Sequence, residues 1–259
     1  TTPRSRCASP IARCSCARGA WWRPDRQRKS SRPIDSGKHS MSTSSRSRPR
    51  DAPLPLHFTR GAETLSVRMD YFCADIETSG PAPGIHSLLS LGITHVRRSE
   101  GTYKLFEDFY LELRPTFPKS SDAAMAVHGL DAERLKREGV PPKDALHRVA
   151  TWVKAQQKSP KERPVFVAHN APFDWMFFVY YFEYYEVANP FGHSAIDLKA
   201  LAMGSLAIPW NKTSLRQVAE MLPGLAPRDL SKLHHAGHDA RYQSEVFAAL
   251  MNRRAASAD

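Results

Sequence analysis

The order of elements legible in this chain predicts an α/β fold, a sheet layered with helices. Two features carry that expectation: three β-rich apolar runs follow one another early, and helical periodicity then alternates with two more short strands. A third is composition, since 259 residues of which 41% are hydrophobic are enough for a real core. The runs from Val67 to Ala74, Leu88 to Val96 and Leu105 to Leu113 are separated by turn-forming stretches, which predicts a meander of three strands. Short helices are expected around Ser121 to His128 and Asp131 to Arg137. A longer one is expected from Pro142 to about Gln157, because Ala145, Leu146, Val149 and Val153 share a face. Pro164 to Ala168 reads as a short buried strand and Phe173 to Val187 as a helix. The rings of that helix, among them Phe177, Phe178, Tyr181 and Tyr184, lie on all faces and read as core and packing surface rather than as a base-stacking stripe. Ser194 to Asp197 reads as a last short strand, with helices at Leu198 to Leu206, Ser214 to Leu222 and His235 to Met251.

Charge is divided unevenly along the chain. Residues 1 to 68 carry 15 Lys/Arg against Asp25, Asp35, Asp51 and Glu63, which accounts for the whole net charge of +11. The remainder holds 22 basic and 22 acidic residues, so a foldable part without net charge must attract phosphate locally or through metal. Residues 1–64 are rich in Arg, Ser and Pro, have no sustained periodicity, and read as a disordered basic tail. The tail starts at Thr1, with Met41 and Met69 as internal methionines, which fits a translated upstream frame or an appended fragment. An organelle-targeting segment is the other reading, and the seven prolines weigh against the amphipathic helix it would need. Residues 65–252 are expected to form the working domain and 253–259 a flexible C-terminus.

Cys7, Cys14 and Cys16 fall in the tail and only Cys73 in the domain, which excludes a disulfide framework there. Cys14-Ser15-Cys16 lacks a second ligand pair at a zinc-like spacing. A reducing, cytoplasmic compartment fits best. No run of about 18 apolar residues is present, so no transmembrane helix is expected.

Three short segments carry the chemistry. In Asp75-Ile76-Glu77-Thr78 the two acids are two apart at a strand end, so they share a face while Ile76 turns to the core. Ala168-His169-Asn170-Ala171-Pro172-Phe173-Asp174 places polar groups at the C-terminal edge of a strand where a helix opens, an edge favoured by ligands in α/β sheets. His234-His235-Ala236-Gly237-His238-Asp239 offers three histidines near a late helix. His238 points about 100° from Asp239, His235 lies a turn earlier on its face, and His234 precedes or begins the helix. Four bare carboxylates at ~5 Å would repel by roughly 3 kcal/mol per pair at an effective dielectric of ~20, so such a cluster needs cations, protons or water. His169 reads as a structural hydrogen-bonding residue, Asp197 as a helix cap, His128 as a loop-ordering residue and His193 as solvent-facing.

These segments resemble the motifs of the DEDDh 3′-to-5′ exonuclease superfamily, which includes polymerase proofreading subunits and ribonuclease T. Asp75 and Glu77 match D-x-E-T, Asp174 matches A-H-N-x-x-F-D, and His234 with Asp239 matches H-x-A-x-x-D-A. Val127-His128-Gly129-Leu130 and Ser194-Ala195-Ile196-Asp197-Leu198 resemble further family elements, and the resemblance spans roughly residues 67 to 250. It implies a ribonuclease H-like mixed sheet of five strands in the order 3-2-1-4-5, flanked by helices. It implies two Mg²⁺ or Mn²⁺ ions held by Asp75, Glu77, Asp174 and Asp239, with His234 as general base and His235 as its rival. The implied reaction is hydrolysis of the terminal phosphodiester of DNA or RNA to release nucleoside 5′-monophosphates. The 3′-terminal nucleotide of a single-stranded or 3′-overhanging substrate should lie against the backbone at Thr78 and Ser79, with Asn170 nearby. A proofreading role would need a separate polymerase partner, and a homodimer is a further expectation. The alternative class is a binding or scaffold subunit that keeps the fold without catalysis, against which the complete set of five residues argues.

Overall fold

The computed structural model describes residues 69–159 and 161–256. All of these belong to the second of two compact units, Arg60–Asp259. The tail expected over 1–64, its cysteines, and the first residues of the strand expected from Val67 lie outside the described residues.

Five strands form one sheet in the order β3-β2-β1-β4-β5. They are β1 (Met69–Thr78), β2 (Leu88–Ser99), β3 (Thr102–Glu112), β4 (Arg163–Ala168) and β5 (Ala195–Asp197). β2 pairs antiparallel with β1 and with β3, whereas β4 runs parallel to β1 and β5 parallel to β4. This is the mixed ribonuclease H-like order. The β2–β3 hairpin reaches further than expected, with Arg97 paired to Lys104 and Ser99 to Thr102. It closes on Glu100 and Gly101, both at positive φ (51° and 82°), the signature of a tight two-residue hairpin turn. Polar residues in its outer arms hide this extension from an apolar-run reading.

Seven helices accompany the sheet among the described residues: α1 (Asp122–His128), α2 (Ala132–Glu138), α3 (Pro142–Gln156), α4 (Ala171–Tyr184), α5 (Leu198–Leu206), α6 (Leu215–Glu220) and α7 (Ala236–Ala256). Ser121, Asp131 and Ser214 cap α1, α2 and α6 by accepting backbone N–H groups of the first turn. α4 opens at Ala171, ahead of the expected Phe173, because proline is tolerated in a first turn. α7 continues past Met251, and Arg253 and Arg254 suit its C-terminal end. No helix among the described residues is long and apolar enough to cross a membrane.

Strand alternation divides the core in two. Phe72, Ala74 and Ile76 of β1 face a cluster containing Val149, Phe177 and Phe178 of α3 and α4, whereas Cys73 faces Leu198, Val218 and Phe247 of α5, α6 and α7. Burial pushes the Cys73 thiol up to about 12, leaving it an inert packing group. Tyr181 is fully buried, and its phenol oxygen accepts the Leu88 N–H at 2.7 Å. Asp75 and Glu77 follow Cys73 at two-residue spacing and so lie on the α7 side. Gly92, paired with Asp75 across β1 and β2, lets α7 start directly on the sheet. A Cβ there would stand 2.3 Å from the Ala236 carbonyl oxygen.

Candidate active site

The last residues of β1 and the first turn of α7 bring the central groups together. Ligand atoms of Glu77, His234 and Asp239 all lie within 4.8 Å of one another. His234 sits just before α7 with φ of 61°, a left-handed turn that carries it ahead of the helix axis. Its N–H donates to Asp239 Oδ2 at 3.0 Å, so the same carboxylate that faces the cluster also fixes the histidine backbone. His235 goes elsewhere: its ring stacks on Tyr110 of β3, with centroids 4.4 Å apart.

Asp75 acts on this group through its charge, which bears on Glu77, and Gln243 Nε2 donates to Asp75 Oδ1 at 2.6 Å. The amide oxygen of Gln243 accepts the His169 N–H at 2.8 Å, locking the β4 edge to the same residue. His169 itself donates from Nε2 to the Thr213 carbonyl at 2.8 Å, the structural role its position suggested. Asp174, buried in the first turn of α4, lies close enough to Asp75 and Glu77 for their charges to act on it.

Electrostatics bind these acids into one unit. Burial first, then the charge of Asp239, raises the Asp75 carboxyl to about 8. Burial, then the charges of Asp75 and Asp239, raises Glu77 to about 9. Burial and the Asp75 charge hold Asp174 well above the ordinary carboxylate range, against donation from the backbone amides of Asp174 and Ile76. Without a cation this cluster resists ionisation. Its donors are hard carboxylate oxygens with one imidazole, a set that suits Mg²⁺ or Mn²⁺, so the residues present fit such ions.

The segment expected to meet substrate is tied down internally. Thr78 Oγ1 donates to the Gly80 carbonyl at 2.9 Å, and Ser79 Oγ donates to the Lys119 carbonyl at 3.0 Å while accepting the Ser87 N–H at 2.8 Å. His128 accepts the Leu130 N–H on Nδ1 and donates from Nε2 to the Thr78 carbonyl, which orders the loop beneath the site. Burial lowers its pKa, consistent with that neutral tautomer. Asn170, exposed at φ 66°, makes no side-chain cap to α4. Asp197 takes that task instead, accepting the N–H groups of Asn170, Ala171 and Lys199 and so capping α4 and α5 together.

Two residues that contact the acids were not singled out by the sequence. Gln243 lies one helical turn beyond Asp239, so i, i+4 spacing was an available signal. Arg228, which forms an ion pair with Asp239, sits in an aperiodic segment with no such signal.

No family model matches this chain. It is 37% identical over 177 residues to a 3′-5′ DNA exonuclease of Escherichia coli, Cap18, covering 68% of this chain and 89% of that protein. A ribonuclease T of Baumannia cicadellinicola subsp. Homalodisca coagulata is 29% identical over 184 residues, covering 69% of this chain and 82% of that protein. Among solved structures, the nuclease domain of 3′hExo, a DEDDh family member bound to rAMP, superposes with a TM-score of 0.59 at 14% identity, covering 73% of this chain and 94% of that one. A complex of E. coli exonuclease I with single-stranded DNA gives a TM-score of 0.54 at 17% identity, covering 72% of this chain and 41% of that one. At those identities the structural matches speak for the fold.

Proposed function

Because the chain belongs to the DEDDh 3′-to-5′ exonuclease superfamily, we propose that Asp75, Glu77, Asp174 and Asp239 hold two Mg²⁺ or Mn²⁺ ions and that His234 is the general base. The reaction is hydrolysis of a 3′-terminal phosphodiester, with release of a nucleoside 5′-monophosphate. The observation that carries this reading is the convergence of Glu77, His234 and Asp239 within 4.8 Å, with Asp75 and Asp174 in the same electrostatic unit. Bound cations would supply Lewis-acid activation of water and neutralisation of the phosphate and leaving oxygen.

The protein's own groups have distinct tasks. His234, anchored through its backbone to Asp239, presents an exposed imidazole to take the proton of the attacking water. Gln243 holds Asp75 in its orientation by hydrogen bonding. The hydroxyls of Thr78 and Ser79 are occupied within the protein, so those residues would meet the terminal nucleotide through the main chain, and Asn170 through its exposed side chain.

Single-stranded DNA is the favoured substrate. The support is that the relative at 37% identity is by name a DNA exonuclease, while the ribonuclease T relative stands at 29%. Matched 5′-labelled DNA and RNA oligonucleotides, digested with Mg²⁺ and with EDTA, test both parts. Mg²⁺-dependent shortening of DNA ahead of RNA is expected; RNA shortened faster would reverse the substrate assignment. Size measurement of the purified protein, alone and mixed with a replicative polymerase, tests the expectations of a homodimer and of a polymerase partner.

A further inference from the structure

Arg228 lies between α6 and α7, and its guanidinium forms an ion pair with Asp239 Oδ1. The proposed reaction gives this arginine no task. Its charge bears on Asp75 and Glu77 as well as on Asp239. The guanidinium also lies 5.7 Å from the centre of the Tyr242 ring. Its Nε is buried without a hydrogen-bond partner, so the position leaves one donor unsatisfied.

A divalent ion held by Glu77 and Asp239 would have to share the Asp239 carboxylate with the guanidinium. Two cations on one carboxylate repel each other strongly. Beside the ion pair is a cavity of about 220 Å³, lined in part by Arg228, Asp229, Tyr242 and Glu245. It offers room to a displaced guanidinium, with Asp229 and Glu245 on its wall alongside Lys232 and Arg241.

We propose that Arg228 is a resident counter-cation, holding Asp239 in the metal-free protein and giving way when a divalent ion binds. Metal affinity is therefore set below what the carboxylates alone would give. The inference rests on the reading of the acidic cluster as a metal site.

The test is Mn²⁺ binding to the full chain without nucleic acid, by calorimetry, for wild type, Arg228→Gln and Arg228→Met. The second variant keeps an apolar stem against Tyr242, so a folded variant remains if glutamine is not tolerated. Both should bind Mn²⁺ about tenfold more tightly than wild type, a difference of ~1.4 kcal/mol. Both should also melt at a lower temperature than wild type in EDTA. Unchanged or weaker Mn²⁺ binding in the folded variants overturns the counter-cation role, as does unchanged metal binding with weakened oligonucleotide binding. If wild type itself binds no Mn²⁺, the metal-site reading fails and this inference fails with it. Wild-type binding without tightening in the variants overturns the role of Arg228 alone.

Discussion

Gly92→Ala tests how closely the site depends on the seating of α7. The added Cβ would stand 2.3 Å from the Ala236 carbonyl oxygen, 2.4 Å from its carbon and 2.5 Å from Gly237 Cα. All three are backbone atoms, so no side chain can rotate to relieve the contact. Ordinary van der Waals separation is about 3.5 Å, which requires the start of α7 to move by about 1 Å. His234 and Asp239 flank that point, whereas Asp75 and Glu77 stay on β1. A displacement of that size at a reacting centre costs about 100-fold in rate. Overpacking costs about 1–3 kcal/mol, and at about 2–4 °C per kcal/mol for a domain of this size the melting point should fall by about 2–12 °C. Single-turnover shortening of a 5′-labelled oligonucleotide, run well below the melting point, separates lost geometry from lost folding. Gly204→Ala is the control, because its Cβ meets nothing within 4 Å and its activity should be unchanged. A Gly92→Ala protein with wild-type rate and melting point would refute the reasoning.

Three further outcomes follow from the same geometry. The folded protein without metal holds protons on Asp75 and Glu77 up to about 8 and about 9, against 3.8 and 4.5 for the free groups. Their contribution to stability is therefore complete below the unfolded values and lost as pH rises towards the folded ones. From pH 6 to 8 each costs at most about 3 kcal/mol, less where water reaches the site. Melting in EDTA should be lower at pH 8 than at pH 6, with the deficit reduced by Mg²⁺; an equal or higher value at pH 8 contradicts this. Gln243→Leu removes the 2.6 Å donation to Asp75 and leaves the His169 N–H unpaired. It should lose about 10–100-fold in turnover or in Mn²⁺ affinity, and an unaffected variant would show that Asp75 needs no orientation. Tyr181→Phe leaves the buried Leu88 N–H without its 2.7 Å acceptor and should cost about 1–3 kcal/mol in chemical denaturation with activity retained.

The sheet and the placement of the candidate acids on it were legible because local period and global position agree. Two-residue alternation puts Asp75 and Glu77 on the side opposite Phe72, Ala74 and Ile76, and a strand leading into a helix puts Asp174 at the edge where β1 ends. Helical spacing turned His238 away from Asp239, and His235 stood as the rival of His234. Their arrangement depends on a left-handed residue at 234 and on Tyr110, which comes from a strand far away in the chain and takes the ring of His235. Arg228 was hidden for a similar reason, since its partner is set by tertiary closure and the segment around it has no period. The outer β2–β3 hairpin was missed because Arg97 to Ser99 and Thr102 to Lys104 are polar apart from Tyr103, whose ring packs on Tyr71 and gives no apolar run to read.

The proposed function makes Asp75, Glu77, Asp174 and Asp239 together the cation-holding set of a 3′-to-5′ nuclease. Asp239→Asn keeps the size and the ability to accept the His234 N–H while removing the charge that faces Glu77 and His234. On a 5′-labelled single strand with Mg²⁺, wild type should produce a ladder of products shortened from the 3′ end, and EDTA should stop it. Asp239→Asn, with its fold verified by melting, should leave the strand at full length. A 3′-shortening ladder that persists in EDTA, or at wild-type rate in Asp239→Asn, would contradict the account.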